Sequence, residues 1–579
     1  MTTKVAPAII ILGQNSLSTA RKIVSSLPQA KIYGLSNRTQ DVDISFTNFG
    51  ETVRELFAAG TPIIGICAAG ILIRTIAPLI SDKRQEPPVL AVAEDGSAVV
   101  PLLGGLSGVN DLARLIAEGL HVQAAITTTG DLRFRTALLS PPPGYYLANP
   151  EDAKKFISDL LAGAKVKLVG TAPWLSNSQL PIDSDGELTI QITEKKVNLT
   201  SDCLVYHPQT VAIAITTATS ETLNQIYQLL QETNIARESI AGIFAPLSLA
   251  AHSTLQAIAQ TFNVPTRFFS DSQLTSQSST VAQAATGTDS QIISFSPSLA
   301  LAISPQIIDP ETIGQARGKL AIIGTGPGAS RWMSPEVKEI LTSATDLVGY
   351  KTYINLIGSL ADGKRCHESD NRVEEARAKL ALDLAAAGKY VAVVSSGDPG
   401  IFAMATAVFE VIDRYNKPEW QTIDIQVAPG ISAMQATAAA IGAPLGHDFC
   451  VISLSDILKP WEIIAQRIVA AAQADFVIAF YNPVSKERTW QLAAARDIIL
   501  QYRKPDTPVI LGQNLGRPGE NVKVITLAQL EPACADMRTL IIIGSSQTQQ
   551  IKILDNQVRV YTSRRYTLED TTPTTDMKL

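Results

Sequence analysis

Short apolar runs bounded by glycine and proline alternate with amphipathic stretches along most of the chain. Residues 8–12, 62–66 and 89–92 read as strands, and 110–118 places its apolar positions at helical spacing. The alternation continues with a helix over 151–162, strands over 165–169 and 211–215, a helix over 221–232 and a strand–helix pair over 240–262. Such alternation predicts the α/β class, in several domains. Ser140-Pro141-Pro142-Pro143-Gly144 interrupts it. The expected organisation is therefore a first domain over 1–138, a middle or linker region over 139–209 and a third domain over 210–305. The stretch 276–290, rich in Ser, Thr, Gln, Ala and Gly, reads as a flexible loop. A linker over 306–318 leads to a last block over 319–566, and the tail 567–579 is expected to be disordered.

In the last block three apolar strands each end in a glycine turn. Residues 320–323 precede Gly324-Thr325-Gly326-Pro327-Gly328. Residues 390–394 precede Ser395-Ser396-Gly397-Asp398-Pro399-Gly400, and 425–428 precede Pro429-Gly430-Ile431-Ser432-Ala433. The run 401–409 reads as a buried helix after the second turn. Strand, glycine turn and helix in that order put open backbone donors at the carboxyl end of a parallel strand, where α/β sheets bind ligands. Three such turns within one domain length predict a single cleft. A dinucleotide fingerprint is only half met, because Ala329 stands at its sixth position and Pro327 lacks an N–H. Asp346, the acid at about the right distance, precedes an apolar run, whereas a ribose-binding acid belongs at a strand's end. No triphosphate P-loop motif is present.

Longer stretches carry a family resemblance. They are VGYKTY (348–353), VSSGDPGIFAMA (394–405), PGISAMQATAAAIGAPLGHDFCVISLSDILKPWE (429–462), DFVIAFYNP (475–483), IIIGSSQT (541–548) and YTSRRY (561–566). With them the chain resembles the tetrapyrrole (corrin/porphyrin) methylases, and among these the precorrin-3B C(17)-methyltransferases. The resemblance implies two α/β halves, over about 319–440 and 441–566, with S-adenosylmethionine in the cleft between them. It implies methyl transfer to a tetrapyrrole ring carbon coupled to ring contraction. By motif, the cofactor contacts would be Pro327, Gly397, Asp398, Ile401, Phe402, Ser432, Ala433, Tyr481, Asn482 and Gly512. Ring contraction moves protons, and the distinctive segment offers His447 and Asp456 as candidate catalytic groups. A structural histidine beside Gly446 is the alternative reading of His447. The substrate would be polyanionic, with Lys351, Arg372, Lys459, Lys486, Arg488 and Arg517 as candidate partners. Cobalt would enter only as part of the substrate. A homodimer through this half is the family's common state. Ala329-Ser330 departs from relatives that carry an acid after GPG.

The chain has 579 residues and a formal net charge of −6, with 46% hydrophobic residues, enough for several cores. That balance argues against nucleic-acid binding. The longest apolar stretch, 62–80, is broken by Gly65, Gly70, Arg74 and Pro78, and predicts no membrane span. Five scattered cysteines without a CxxC or HExxH motif predict no metal site and suit a reducing cytoplasm.

GILIRTIAPLISDK (70–83) and LLGGLSGVNDLARLIA (102–117) give the first half a resemblance to the cobalt-precorrin-5A hydrolases, the CbiG family, extending to about residue 305. Three departures stand out. Leu106-Ser107 follows Gly104-Gly105 where relatives have His. Ala212-Ile213-Ala214-Ile215-Thr216-Thr217 replaces a GIGC-like strand and basic turn. Residues 245–253 (APLSLAAHS) replace an acidic, lysine-bearing loop. A lactone hydrolase needs an acid, base or oxyanion donor, so impaired hydrolysis is expected, although Arg74, Lys83, Asn110 and Asp111 remain.

Overall fold

The computed structural model describes residues 6–83, 85–270, 277–370, 373–553 and 557–565. The chain divides into two compact units, Met1–Gly314 and Gln315–Leu579.

Unit 1 contains three sheets. The first has the order Ile44–Phe46, Lys31–Leu35, Ala8–Ile11, Ile63–Ile66, Val89–Val92, Val99–Leu103, parallel except for the last pair. Its central strand is apolar at every position because both faces are covered. Ile9 and Ile11 pack under the helices Leu17–Ser26 and Val109–Leu120. Ile10 packs on the other face, under Phe49–Ala58 and Ala69–Ile76.

The middle region is a folded layer rather than a linker. Tyr145–Leu147, Cys203–Pro208, Leu188–Ile192 and Val166–Val169 form a sheet that packs against the helix Ala153–Ala162. Phe134 and Leu138 belong to this core. The change of core therefore precedes the Pro-rich break, because the apolar residues before it already face the second sheet. The third sheet has the order Thr266–Phe269, Ile240–Pro246, Val211–Ile215, Leu299–Ile303, Gln291–Ser296. The stretch expected to be a flexible loop over 276–290 holds the helix Ser278–Thr286 in its described part. Val281, Ala282 and Ala285 seal one face of this sheet. Small polar residues disguised a helix whose thin apolar stripe is alanine-rich. The expected linker is also tied down. The buried Arg267 guanidinium donates to the carbonyls of Ile313, Glu311 and Gly314.

Unit 2 has two lobes. The first sheet is wholly parallel, in the order Arg365–Ser369, Asp346–Tyr350, Tyr390–Ser395, Lys319–Gly324, Asp424–Ala428. The second runs Phe449–Ser453, Val477–Tyr481, Thr539–Ile543, Pro508–Gln513, Asn521–Thr526. Helix Ala433–Ile441 packs on the second sheet, not the first. The chain therefore crosses between lobes at the third glycine turn, some residues earlier than position 440. The expected tail 567–579 lies outside the described residues.

Asp346 sits at the amino end of its strand, 1% exposed. It meets His367 Nε2 at 2.9 Å and Lys389 Nζ at 3.5 Å, and Thr345 Oγ1 donates to it at 2.9 Å. This is the end of the sheet opposite the glycine turns, which removes the dinucleotide reading. Burial raises the Asp346 pKa, but the bonds from His367 and Thr345 and the Lys389 charge outweigh it and hold the carboxyl below its ordinary value. A depressed folded pKa adds stability that is full above the unfolded value of about 4 and is lost as pH falls through the folded value. We predict that Asp346→Ala lowers the stability of unit 2 by about 3 kcal/mol at neutral pH, and that the difference from the parent shrinks in acid. Thermal unfolding across pH measures both.

Candidate functional site

The three glycine turns are one structure. Gly326 and Gly397 exchange backbone hydrogen bonds, with N···O distances of 3.2 and 2.8 Å. Asp398 joins the second turn to the third. Its Oδ1 accepts from the Gly400 N–H at 2.8 Å and its Oδ2 from the Gly430 N–H at 3.1 Å. The turns approach so closely that side chains are excluded. A Cβ at Gly430 would lie 2.2 Å from the Gly397 carbonyl oxygen, and one at Gly324 would lie 2.5 Å from the same atom. Gly397 itself has φ +71, a conformation glycine adopts freely, and the space on its Cβ side is open out to 3.9 Å.

The second lobe closes on this cradle. Arg517, beyond the strand Pro508–Gln513, donates to the Pro327 carbonyl and to Ser396 Oγ, both at 2.8 Å. Ser432 caps helix Ala433–Ile441 in a reciprocal capping box with Gln435. The Met434 N–H donates to the Tyr481 hydroxyl at 3.2 Å. Tyr481 stands 5.5 Å, ring to ring, from Phe402. Burial pushes the Tyr481 phenol above its ordinary range, against hydrogen bonds from Met434 and Ser432 that lower it. Gly512 lets its strand touch that helix, since a Cβ there would lie 2.2 Å from Thr437 Oγ1.

Pro327, Gly397, Asp398, Phe402, Ser432, Ala433 and Tyr481 are therefore neighbours, and Gly512 abuts the same helix. Ile401 and Phe402 do not open a helix as expected. Helix Met404–Tyr415 starts after them, and Phe402 has φ +50 and is 52% exposed. The turn continues through them, the Ile401 N–H donating to the Asp398 carbonyl and the Ala405 N–H to that of Pro399. Asn482 Nδ2 donates to Ser453 Oγ at 3.1 Å, and its carbonyl accepts from Arg488 Nε.

The two candidate catalytic groups are separated. Asp456 accepts from Gln491 Nε2 at 2.8 Å, beyond the carboxyl end of strand Phe449–Ser453. His447 precedes that strand's amino end, and its Nδ1 accepts from the Asp448 N–H at 2.7 Å. The strand Phe449–Ser453, four residue steps of about 3.3 Å, puts its own length of about 13 Å between His447 and the Asn482 end. The structure thus brings Asp456, but not His447, to the end of the sheet that carries the cleft.

Of the candidate basic residues, Arg517 serves as the clamp between lobes and Arg488 is buried on Asn482. Lys459 Nζ lies 5.9 Å over the Phe402 ring, Lys351 pairs with Glu368 at 3.7 Å, and Lys486 is exposed. Arg372 lies outside the described residues. Sequence reading missed Ser395 and Thr437, whose buried hydroxyl oxygens have no hydrogen-bond partner. Their position at the strand end and on the helix facing Gly512 was the only signal. Among the described residues no cluster of metal-ligating side chains occurs, and no helix is long and apolar enough to cross a membrane.

Residues 319–531 match the family described as Tetrapyrrole (Corrin/Porphyrin) Methylases, and residues 51–131 match Cobalamin synthesis G N-terminal. The chain is 47% identical over 249 residues to a precorrin-3B C(17)-methyltransferase from Sinorhizobium sp, covering 43% of this chain and 97% of that one. The chain belongs to the tetrapyrrole methylases. A cobalamin biosynthesis protein CobIJ from Mycobacterium tuberculosis is 51% identical over 253 residues, 43% of this chain. The match spans 48% of that relative's length, about half. The crystal structure of the methyltransferase CobJ is 43% identical, covering 42% of this chain and 100% of its own, with a TM-score of 0.40. The methylase match lies within unit 2, and unit 1 carries the second family's segment.

We predict that Gly430→Ala destabilises unit 2 by about 1–3 kcal/mol, because the Gly397 carbonyl cannot retreat without breaking its strand-end contacts. A thermal midpoint equal to the parent's would show that the turns are not in mutual contact.

Proposed function

We propose that unit 2 transfers a methyl group from S-adenosylmethionine to C(17) of a precorrin-3B or cobalt-factor III type tetrapyrrole, coupled to ring contraction in cobalamin synthesis. The carrying observation is the side-chain-free cradle of three turns, joined by Asp398 and faced by Tyr481 and Phe402. It fits a cofactor that must be approached by backbone, and the near full-length similarity to the Sinorhizobium enzyme supports the reaction.

S-adenosylmethionine supplies a methyl already activated by its sulfonium. The protein's task is then to hold donor and acceptor carbon in line. Gly397 offers open backbone, and the Asp398 carboxylate lies beside the cradle while it fixes two turns. The substrate side has an unusual apolar surface. Ile457 is 74% and Leu458 91% exposed, next to Lys459 and the half-exposed Phe402. A flat macrocycle rimmed by carboxylates suits such a surface with a cation at its edge. Asp456, tied to Gln491 and close enough to Arg488 for their charges to interact, is the better-placed proton carrier. The cytoplasm and a homodimer through unit 2 complete the proposal.

Calorimetry on the full chain should detect S-adenosylmethionine binding, weakened at least about tenfold by Asp398→Ala, the scale of a lost charged hydrogen bond. Mass analysis of the product from labelled donor should show one methyl added and the ring contracted. We expect the cobalt-containing substrate to react faster than the metal-free one, since unit 1 resembles a cobalt-route protein. Binding without product would favour the rival reading, a protein that holds or hands over the tetrapyrrole.

We further propose that unit 1 does not open the lactone at a full rate. Ser107 is spent as a staple, its Oγ donating to the Glu86 carbonyl at 2.7 Å. Asn110 donates to Asp131, and Asp111 pairs with Arg114. Residues 211–215 and Ala245 are buried core. The full chain given cobalt-precorrin-5A should therefore release little acetaldehyde. Release at the rate of an intact family member would make the protein fully bifunctional.

A further inference from the structure

Unit 1 has its own reversal of strand order. From Ala8–Ile11 the first sheet is built outward to Lys31–Leu35 and Ile44–Phe46 on one side, and through Ile63–Ile66 to Val89–Val92 on the other. The connecting helices lie on opposite faces, so a crevice opens beyond the carboxyl ends of Ala8–Ile11 and Ile63–Ile66. In open α/β sheets ligands bind at such a point. A cleft of about 440 Å³ occupies it, within the range of small-molecule sites. Its wall includes Gly13 and Ser16 after the first strand, Cys67 and Ala68 after the second, and the exposed Glu94.

Two features of the wall call for an anion. Helix Ala69–Ile76 starts there with Ala68 as its N-cap and no side-chain cap. The N–H groups of its first two residues, Ala69 and Gly70, have no helical carbonyl to bond, and the helix dipole adds partial positive charge. From the short turn Gln14–Ser16 after strand Ala8–Ile11 comes Ser16, only 4% exposed. Its hydroxyl makes no capping bond to helix Leu17–Ser26, and Ser16 is part of the cleft wall. A hydroxyl in that wall can donate to an acceptor entering the cleft. The rest of the lining is largely apolar, with Leu12, Ile66 and Ile71. Glu94 in the same wall repels every anion and a doubly charged one most.

We propose that this cleft binds the singly charged carboxylate of a small molecule, held by the start of helix Ala69–Ile76 and by the Ser16 hydroxyl. The site belongs to unit 1 and is independent of methyl transfer in unit 2.

Cys67 reports on it from within the wall. Burial pushes its thiol up to about 11, so alkylation is slow and measurable at mildly alkaline pH. The full-length protein is treated with iodoacetamide and Cys67 is followed by peptide mass analysis, with the exposed Cys366 and Cys534 as internal references. Propionate at twice its dissociation constant should slow Cys67 about threefold and leave the references unchanged, while chloride at equal ionic strength does nothing. Ser16→Ala should raise the propionate concentration required about tenfold. Ala68→Val, which fills the cleft, should make Cys67 alkylation independent of propionate while circular dichroism stays that of the parent. No slowing of Cys67 alkylation by propionate, an unchanged requirement in Ser16→Ala, or phosphate protecting better than propionate would overturn the proposal.

Discussion

Everything in unit 2 depends on three backbone turns sharing a space too small for any side chain. The Gly397 carbonyl touches the positions where Gly324 and Gly430 would carry a Cβ. Two carboxylate oxygens of Asp398 then take the N–H groups of Gly400 and Gly430. A charge-assisted bond to backbone N–H is roughly twice as strong as a neutral one. The acid thus locks the second turn to the third, and the third is where the chain leaves the first lobe for the second. The geometry of the cleft and the crossing between lobes are set by one side chain and by two positions, Gly324 and Gly430, that have no room for one.

The second lobe answers with groups that act on backbone rather than on each other. Arg517 holds the Pro327 carbonyl, and Tyr481 takes the Met434 N–H. Both are largely withdrawn from solvent, and burial lowers the Arg517 pKa as it raises that of Tyr481. Such groups are expensive to bury unless their bonds are made, so they resist rearrangement. The surface proposed for the substrate is by contrast open and apolar at Ile457 and Leu458. Rigid backbone on the donor side and an open apolar face on the acceptor side suit a reaction that relies on alignment.

In unit 1 the polar residues of the segment that matches the second family serve local structure. Ser107, Asn110 and Asp111 are committed to local bonds. Strand Val211–Ile215 is apolar and buried throughout. Beside them stand the sheet with its strand-order reversal and the cleft beyond its strand ends.

Strand and helix positions were legible from apolar periodicity, because burial on both faces of a parallel sheet demands continuous apolar runs such as 8–11 and 391–394. The glycine turns were legible as turns, and long motifs carried the family. Tertiary structure decided what periodicity cannot encode. Alanine-rich Ser278–Thr286 is a helix only because a sheet face needs covering there. The middle region folds because Phe134 and Leu138 reach across the proline break. His447 and Asp456 are close in sequence, yet a strand runs between them and carries them to opposite ends of a sheet. Local spacing determines which face a residue occupies. Which groups meet depends on strand order and crossings, and those are set by contacts between residues far apart in the chain.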